Sequence, residues 1–387
     1  MGIVLFDNRF RGNLLPFTYT KAVASLRYGI FSVQERWAMI SDQPVYIHTS
    51  GYLQKRYTPI PAETHTWVDA SLILDNDLID QILSLQTGDC LADEKGLIAG
   101  VFSFPVEGFD NQHSISAFTH IRDYPCVERL EHPWEIMLQN DRFLRDDFFL
   151  VQKKGISAPI PETVSAIQPE HIFIEPGARL NYCILNASTG PIYIGKDAEV
   201  MEGSSIRGPF ALGTKSVVKM NSRIYGATTL GPFCIGGGEI KNSVLMGYSN
   251  KGHDGYLGDS VIGEWCNFGA GATCSNIKNT AGEVKIWDIG ANNYASVGKK
   301  CGMIMGDYSR LAINSSVNTG SMIGVCCNVF GVGLLPTIVQ NFSWGTEGTT
   351  YDFQKALRDI QNWKQLKNET LSEPETTMLK YVFANHH

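Results

Sequence analysis

Between His171 and His386 this chain of 387 residues holds a single histidine, His253, in the run Lys251-Gly-His-Asp-Gly-Tyr-Leu-Gly-Asp259. Imidazole takes and returns protons near neutral pH, so this stretch is the first place to look for general acid–base chemistry. A zinc-dependent hydration of carbon dioxide, known in some solenoid trimers, needs three histidines and lacks its ligands here. The nine cysteines are scattered, with Cys326-Cys327 the one close pair and no C-x-x-C. That pattern argues against a zinc knot or a disulfide framework and for reduced thiols.

A side chain can act as a base only where something holds it, and the sequence around His253 has an unusual period. Ile194, Val200, Ile206, Leu212, Val218, Ile224 and Leu230 recur every sixth residue. Two positions before them stand the small residues Ala198, Ser204, Ser216, Ser222 and Thr228, with Phe210 the exception, and Gly195, Gly213 and Gly231 follow directly. The register returns as Met305, Leu311, Val317, Ile323, Val329 and Leu335, with Ser309, Ser315, Ser321 and Cys327 as the small set. Six matches neither the 3.6 of a helix nor the 2 of a strand. It matches a triangular parallel solenoid in which each flat side uses one hexad, an aliphatic filling the prism and a small residue the corner. The repeat breaks over 236–259, resumes at Ile262-Gly263 and Phe268-Gly269, and breaks again after Cys274-Ser275-Asn276. Loops leaving the interrupted coils are expected to form the site.

With Arg223, Lys241, Asn267-Phe-Gly-Ala-Gly271 and Asn276, the His253 segment resembles, without a gap, the acetyltransferase domain of the bifunctional enzymes that make UDP-N-acetylglucosamine. The resemblance implies a left-handed parallel β-helix. It also implies acetyl transfer from acetyl-CoA to an amino sugar 1-phosphate, with His253 as catalytic base. Arg223, Lys241, Tyr256 and Asn267 fall on the family's sugar-phosphate-binding positions, and Asn276 and Ala270 on its acetyl-CoA side. Ile277 replaces the aromatic residue that the family carries after the second Asn. The resemblance further implies a homotrimer, with each site shared between adjacent prisms. The residue types suit the reaction: an ammonium is not nucleophilic, so a base must remove a proton as the amine attacks the thioester. An Arg fork and a Lys suit the phosphate, and amides suit the oxyanion.

The first 165 residues read as α/β. Ile3 to Phe6 is a buried-strand candidate and 97–102 another, while helical periodicity covers 23–39, 75–85 and 134–144. The two prolines in Ser157-Ala-Pro-Ile-Pro-Glu162 mark a linker. Domains are thus expected at 1–165, 166–345 and 346–387, the last carrying a helix over 351–366. The opening Asp7-Asn-Arg9-Phe-Arg11-Gly-Asn-Leu-Leu-Pro16-Phe-Thr18-Tyr-Thr-Lys21, continuing to Arg27, is similar to that of sugar-1-phosphate nucleotidyltransferases. It departs from them in having one glycine, Gly12, in the loop, and Val23 where the catalytic lysine is expected. Over the whole chain the resemblance is to a divergent, Bacteroidetes-type subgroup of the bifunctional family. It places nucleotide contacts on Arg9, Arg11, Thr18, Lys21 and Arg27. A magnesium ion is expected for triphosphate chemistry, with Asp7 and Asp69 as its candidate ligands.

Net charge is -7, which gives no general basic field for nucleic acid. No apolar run long enough for a membrane span and no signal-type opening occur, so the expectation is a cytoplasmic enzyme acting on an amino sugar phosphate and UTP or dTTP. Two alternatives differ in class: an acyltransferase with a degenerate sugar-nucleotide-binding front domain, or a trimeric scaffold with neither activity.

Overall fold

The computed structural model describes residues 2–103, 109–110 and 113–386. Strands β1 (Ile3–Phe6), β2 (Val45–His48), β3 (His65–Asp69), β4 (Asp89–Asp93), β5 (Gly96–Phe102) and β6 (His120–Asp123) form one mixed sheet, ordered β2-β1-β3-β5-β4-β6. β1 is parallel to both neighbours, while β5 is antiparallel to β3 and β4. Helices α1 (Val33–Ser41), α2 (Gly51–Gln54), α3 (Asn76–Leu83) and α4 (Glu135–Lys154) complete the front domain. α3 agrees with the predicted segment and is capped by Asp75, which accepts from Leu78 N at 2.8 Å.

The segment 23–39 is helical only in its second half. Val23–Ser25 is a single 3-10 turn, Gly29 takes φ +74°, and a Ser32/Glu35 capping box starts α1 afresh. Leu26 and Ile30 are buried all the same, because α4 holds the backbone between them. Asn140 Oδ1 accepts from Gly29 N at 2.6 Å, and Asp147 Oδ2 accepts from Ile30 N at 2.8 Å. Helical spacing and burial against a helix gave the same apolar pattern here, which is why periodicity alone overextended the helix.

From Ser165 the chain winds into a parallel β-solenoid whose faces are sheets of eight, nine and ten strands among the described residues. Ile194, Leu212, Leu230, Leu245, Ile262, Met305 and Ile323 lie in register up the nine-stranded face, all buried inside the prism. Each such side chain contributes roughly 1.5–3 kcal/mol by leaving water. The small residues have a second reason besides space. Ser216 Oγ donates to the Gly231 carbonyl (2.6 Å) and accepts from Cys234 N (2.9 Å). Ser309 repeats this with Gly324 O (2.7 Å) and Cys327 N (3.0 Å). These hydroxyls satisfy buried corner peptides that no ladder reaches.

The break over 236–259 is not the protruding loop that the sequence predicts. It is a shortened coil: three full hexads from Leu230 would reach 248, and the in-register partner is Leu245. The strands Glu239–Lys241, Val244–Gly247, Asn250–Lys251 and Tyr256–Gly258 all stay in the solenoid. The chain leaves it later, after Thr273–Cys274, for an antiparallel hairpin of Lys285–Asp288 with Asn293–Ser296, and re-enters at Met303.

The outward positions of the nine-stranded face form an almost wholly apolar ladder: Phe173, Tyr193, Ala211, Thr229, Val244, Val261, Ile304 and Met322. The front domain lies along it. Phe173, Tyr193 and Ala211 pack with Leu144, Phe148 and Val151 of α4, and Val244, Val261, Ile304 and Met322 join the front domain's own core. Thr229 Oγ1, the polar rung, donates to Gly29 O at 2.8 Å.

Beside the dock, adjacent coils stack tightly at Gly231, where a Cβ would stand 1.9 Å from the Met246 carbonyl oxygen, itself an acceptor for Arg27 Nε at 3.1 Å. Gly231→Ala is therefore expected to destabilise by about 1–3 kcal/mol or more through overpacking, read as a lower urea midpoint at unchanged m-value.

Two helices close the chain. α5 (Phe353–Gln365) matches the predicted tail helix; α6 (Glu373–His386), which buries Met378, Leu379 and Val382, was not expected. They cover the corner between the nine- and ten-stranded faces, where Phe233, Tyr248 and Trp265 stack coil upon coil at 4.7 and 4.3 Å. Lys364 sits 4.7 Å above Trp265, and Tyr381 stacks on Tyr52 of α2 at 4.1 Å. Among the described residues no helix is long and apolar enough to cross a membrane.

Candidate functional site

With the nine-stranded face under the front domain and its corner under α5 and α6, the eight-stranded face presents polar rungs. Arg223, Glu239 and Tyr256 are consecutive in-register partners on it, as are Tyr225, Lys241 and Gly258. Parallel coils lie about 4.8 Å apart, so Arg223 and Tyr256 are roughly 10 Å apart along the face. Glu239 stands between them: its carboxylate is 3.7 Å from Arg223 Nε and accepts from Tyr225 OH at 2.7 Å. That hydrogen bond holds the Tyr225 phenol above its usual pKa. Burial, with Asp259 nearby, does the same for Tyr256. Arg223 is exposed, and Lys241 and Tyr256 are half-buried.

His253 sits at the corner between the ten-stranded and eight-stranded faces, in the turn joining Asn250–Lys251 to Tyr256–Gly258, and is exposed. The corner of the next coil holds Ala270 and Gly271, with Gly271 N donating to Asp254 O at 3.2 Å. Asn267 lies on the ten-stranded face, paired with Asn250 below and Arg310 above. Arg223, Tyr256, His253 and Ala270 thus gather at one edge of the prism, with Asn267 just around it and Lys241 two residues farther across the eight-stranded face. Asn276 lies apart: it is buried, and its amide donates to Asp259 Oδ2, whose other oxygen accepts from Asn242 at 2.7 Å.

The front-domain residues are placed differently. Lys21 is buried against the solenoid, 3.0 Å from Asp307 and 3.2 Å from Glu264. Thr20 Oγ1 donates to the same Asp307 at 2.6 Å. Arg27 is held by Glu35 (2.7 Å) and by the Met246 and Ile30 carbonyls. Thr18 is buried and donates to Arg11 O at 2.8 Å. Arg11 pairs with Asp7 at 3.0 Å, and Arg9 stays exposed. Thr18, Lys21 and Arg27 therefore serve packing and docking, which spacing along the chain does not reveal.

The two candidate carboxylates do not fit a magnesium ion. Asp7 accepts from Arg11, Thr49 Oγ1 (2.5 Å) and Val23 N (2.8 Å). Its burial raises its pKa despite the guanidinium. Asp69 is buried and accepts from Asn8, Ser71 and Arg129 Nε (2.8 Å). Each already has a guanidinium partner, and among the described residues no cluster of three His, Cys, Asp or Glu could hold an ion.

Two features escaped the sequence reading. Glu239, in register between Arg223 and Tyr256, became visible only once coil register was known. The apolar docking ladder was legible in principle: paired apolar residues such as Val261-Ile262 and Ile304-Met305 break the in–out alternation that an uncovered face would keep.

The architecture is an α/β front domain docked along one face of a hexapeptide-type parallel solenoid. Residues 3–155 match the family model described as sugar nucleotidyl transferase. The chain is 35% identical over 143 residues to the bifunctional sugar-1-phosphate nucleotidylyltransferase/acetyltransferase of Sulfurisphaera tokodaii, covering 36% of this chain and 35% of that protein. It is 37% identical over 89 residues to the bifunctional protein GlmU of Methanocaldococcus jannaschii, covering 23% and 21%. It is 33% identical over 164 residues to the bifunctional protein GlmU of Wigglesworthia glossinidia brevipalpis, covering 41% and 30%. The matched stretches thus span between 21% and 35% of these relatives' lengths. Residues 3–155 are thus similar to the sugar nucleotidyl transferase family, and parts of the chain are similar to bifunctional nucleotidylyltransferase/acetyltransferases.

Proposed function

We propose that the solenoid transfers an acetyl group from acetyl-CoA to the amine of an amino sugar 1-phosphate, glucosamine-1-phosphate or a close analogue. The front domain is proposed to transfer a nucleotidyl group from UTP or dTTP to the sugar phosphate. The observation that carries the first reading is an exposed imidazole at the corner from which the face carrying Arg223, Lys241 and Tyr256 on successive coils begins.

In this reading Arg223 and Lys241 hold the phosphate, and Tyr256 and Asn267 orient the sugar from the two faces that meet at the corner. His253 removes a proton as the amine attacks the thioester carbon. The tetrahedral intermediate collapses to the amide and the CoA thiolate, which takes up a proton. An open face on a single prism binds little, so the groove is proposed to be closed by a neighbouring copy, in keeping with a homotrimer of a cytoplasmic enzyme. Asn276 and Ala270 are proposed to border the acetyl-CoA side, Ala270 directly and Asn276 through Asp259.

Thiol release from acetyl-CoA with glucosamine-1-phosphate tests the acyl transfer. Pyrophosphate release from UTP or dTTP with a panel of sugar 1-phosphates tests the nucleotidyl transfer. One observation favours a second reading, acyl transfer alone: Thr18, Lys21 and Arg27 are bound up in packing and docking rather than facing a nucleotide. Thiol release without pyrophosphate release would select it, and silence in both assays would leave a scaffold.

Arg223→Ala and Lys241→Ala are each expected to raise KM for the sugar phosphate by roughly ten- to a hundredfold with little change in kcat. A charge-assisted hydrogen bond contributes about 1.5–3 kcal/mol. An unaltered KM in both variants would remove the phosphate from this face.

A further inference from the structure

On the ten-stranded face the inward position of successive coils carries Leu180, Val200, Val218, Gly236, Lys251, Phe268, Leu311 and Val329. Seven of these are apolar or glycine, and the eighth is a lysine, 1% exposed, inside the prism. A buried ammonium is costly unless something repays its desolvation. Among the described residues no carboxylate forms an ion pair with it: Lys251 Nζ donates to two main-chain carbonyls, Gly237 O at 3.1 Å and His253 O at 2.5 Å. Asp254 is the acidic group acting on it from the same corner, and burial outweighs it, bringing the lysine down to about 8.

The two acceptors belong to stacked corners of neighbouring coils that approach as closely as backbone allows. A Cβ on Gly237 would stand 2.6 Å from Gly252 O, and one on Gly238 would stand 2.8 Å from His253 O. The glycines let the two corners touch, and the ammonium staples them together from inside.

We infer that Lys251 is a positioning residue for the proposed acetyl transfer, fixing from within the prism the corner that presents His253 to the open face. The inference rests on the acyl-transfer reading for its consequence in catalysis. Its structural half stands on the geometry alone. A lysine at a site built for an aliphatic side chain opposes stability, and its placement is accounted for by what it holds.

The test is Lys251→Met, which keeps length and apolar volume and removes the donor. Expected are a kcat lowered about tenfold, a KM for the sugar phosphate unchanged because Arg223 and Lys241 are untouched, and a melting temperature equal to or above wild type. Amide exchange at 252–255 should accelerate, while exchange in the coils on either side stays as it was. Lys251→Leu, which also removes the donor and restores the aliphatic type of the neighbouring coils, is read in the same way should the methionine variant not fold. Unchanged kcat, or a fall in kcat and melting temperature together with no local change in exchange, overturns the inference. Should the wild type itself release no thiol, the acyl-transfer reading fails and the exchange arm alone decides the staple: unchanged protection at 252–255 ends it.

Discussion

Replacing His253 with alanine is expected to lower kcat/KM for acetyl transfer by roughly two orders of magnitude or more, the contribution of a positioned general base. The melting temperature should not move. The side chain is exposed at a prism corner, and the polar contact holding that corner is made by its backbone carbonyl, which alanine retains. The loss should appear in kcat, since Arg223 and Lys241 are left to bind the phosphate. Thiol release at the wild-type rate from the alanine variant would remove His253 from the reaction.

The second large effect lies far from that edge. Lys21→Met is expected to destabilise the chain by about 3–5 kcal/mol, because it leaves Asp307 charged and buried without its ammonium. Lys21 is 2% exposed and Asp307 is also 2% exposed, and Thr20 Oγ1 and Glu264 N are the remaining hydrogen-bond donors to that carboxylate. Adding Asp307→Asn should recover part of the loss, since a neutral amide is cheaper to leave half-satisfied.

The pH dependence has a definite sign. Burial alone would depress the Lys21 pKa, but Asp307 and Glu264 hold it above its ordinary value. A lysine raised on folding stabilises fully below its unfolded pKa and loses that contribution only as pH rises through the folded value. The stabilisation is therefore whole at neutral pH and fades in the alkaline range. A lysine reserved for a nucleotide would behave otherwise: its removal would leave the melt unchanged and weaken UTP binding. Equilibrium unfolding in urea beside nucleotide titration separates the two.

These variants mark where linear pattern and tertiary context part. The hexad rule was readable because it is imposed by the prism itself: one aliphatic per side fills the interior, and a small hydroxyl residue satisfies the corner peptides. Ser216 and Ser309 show the hydroxyl in that role, while Ala198 and Cys327 keep the small volume without it. The His253 motif was readable because its residues fall in a nearly continuous segment with fixed coil spacing. The shortened coil at 230–245 was misread as a loop because losing three residues and inserting a loop break a six-residue period alike. Only in-register pairing tells them apart.

The front domain was legible as α/β from β1, β5 and the α3 periodicity. Its charged residues were not, because Lys21, Arg27 and Asp69 look the same in a sequence whether they face a nucleotide or a buried partner. Asp307 is 286 residues from Lys21 along the chain, and no local rule connects them. The sequence by itself determined the solenoid, the imidazole and the polar rungs beside it, since local periodicity and a short motif encode all three. Tertiary structure alone decided which face is docked, which edge stays open, and which buried cations hold backbone or carboxylate, because those depend on contacts between segments that are distant in sequence.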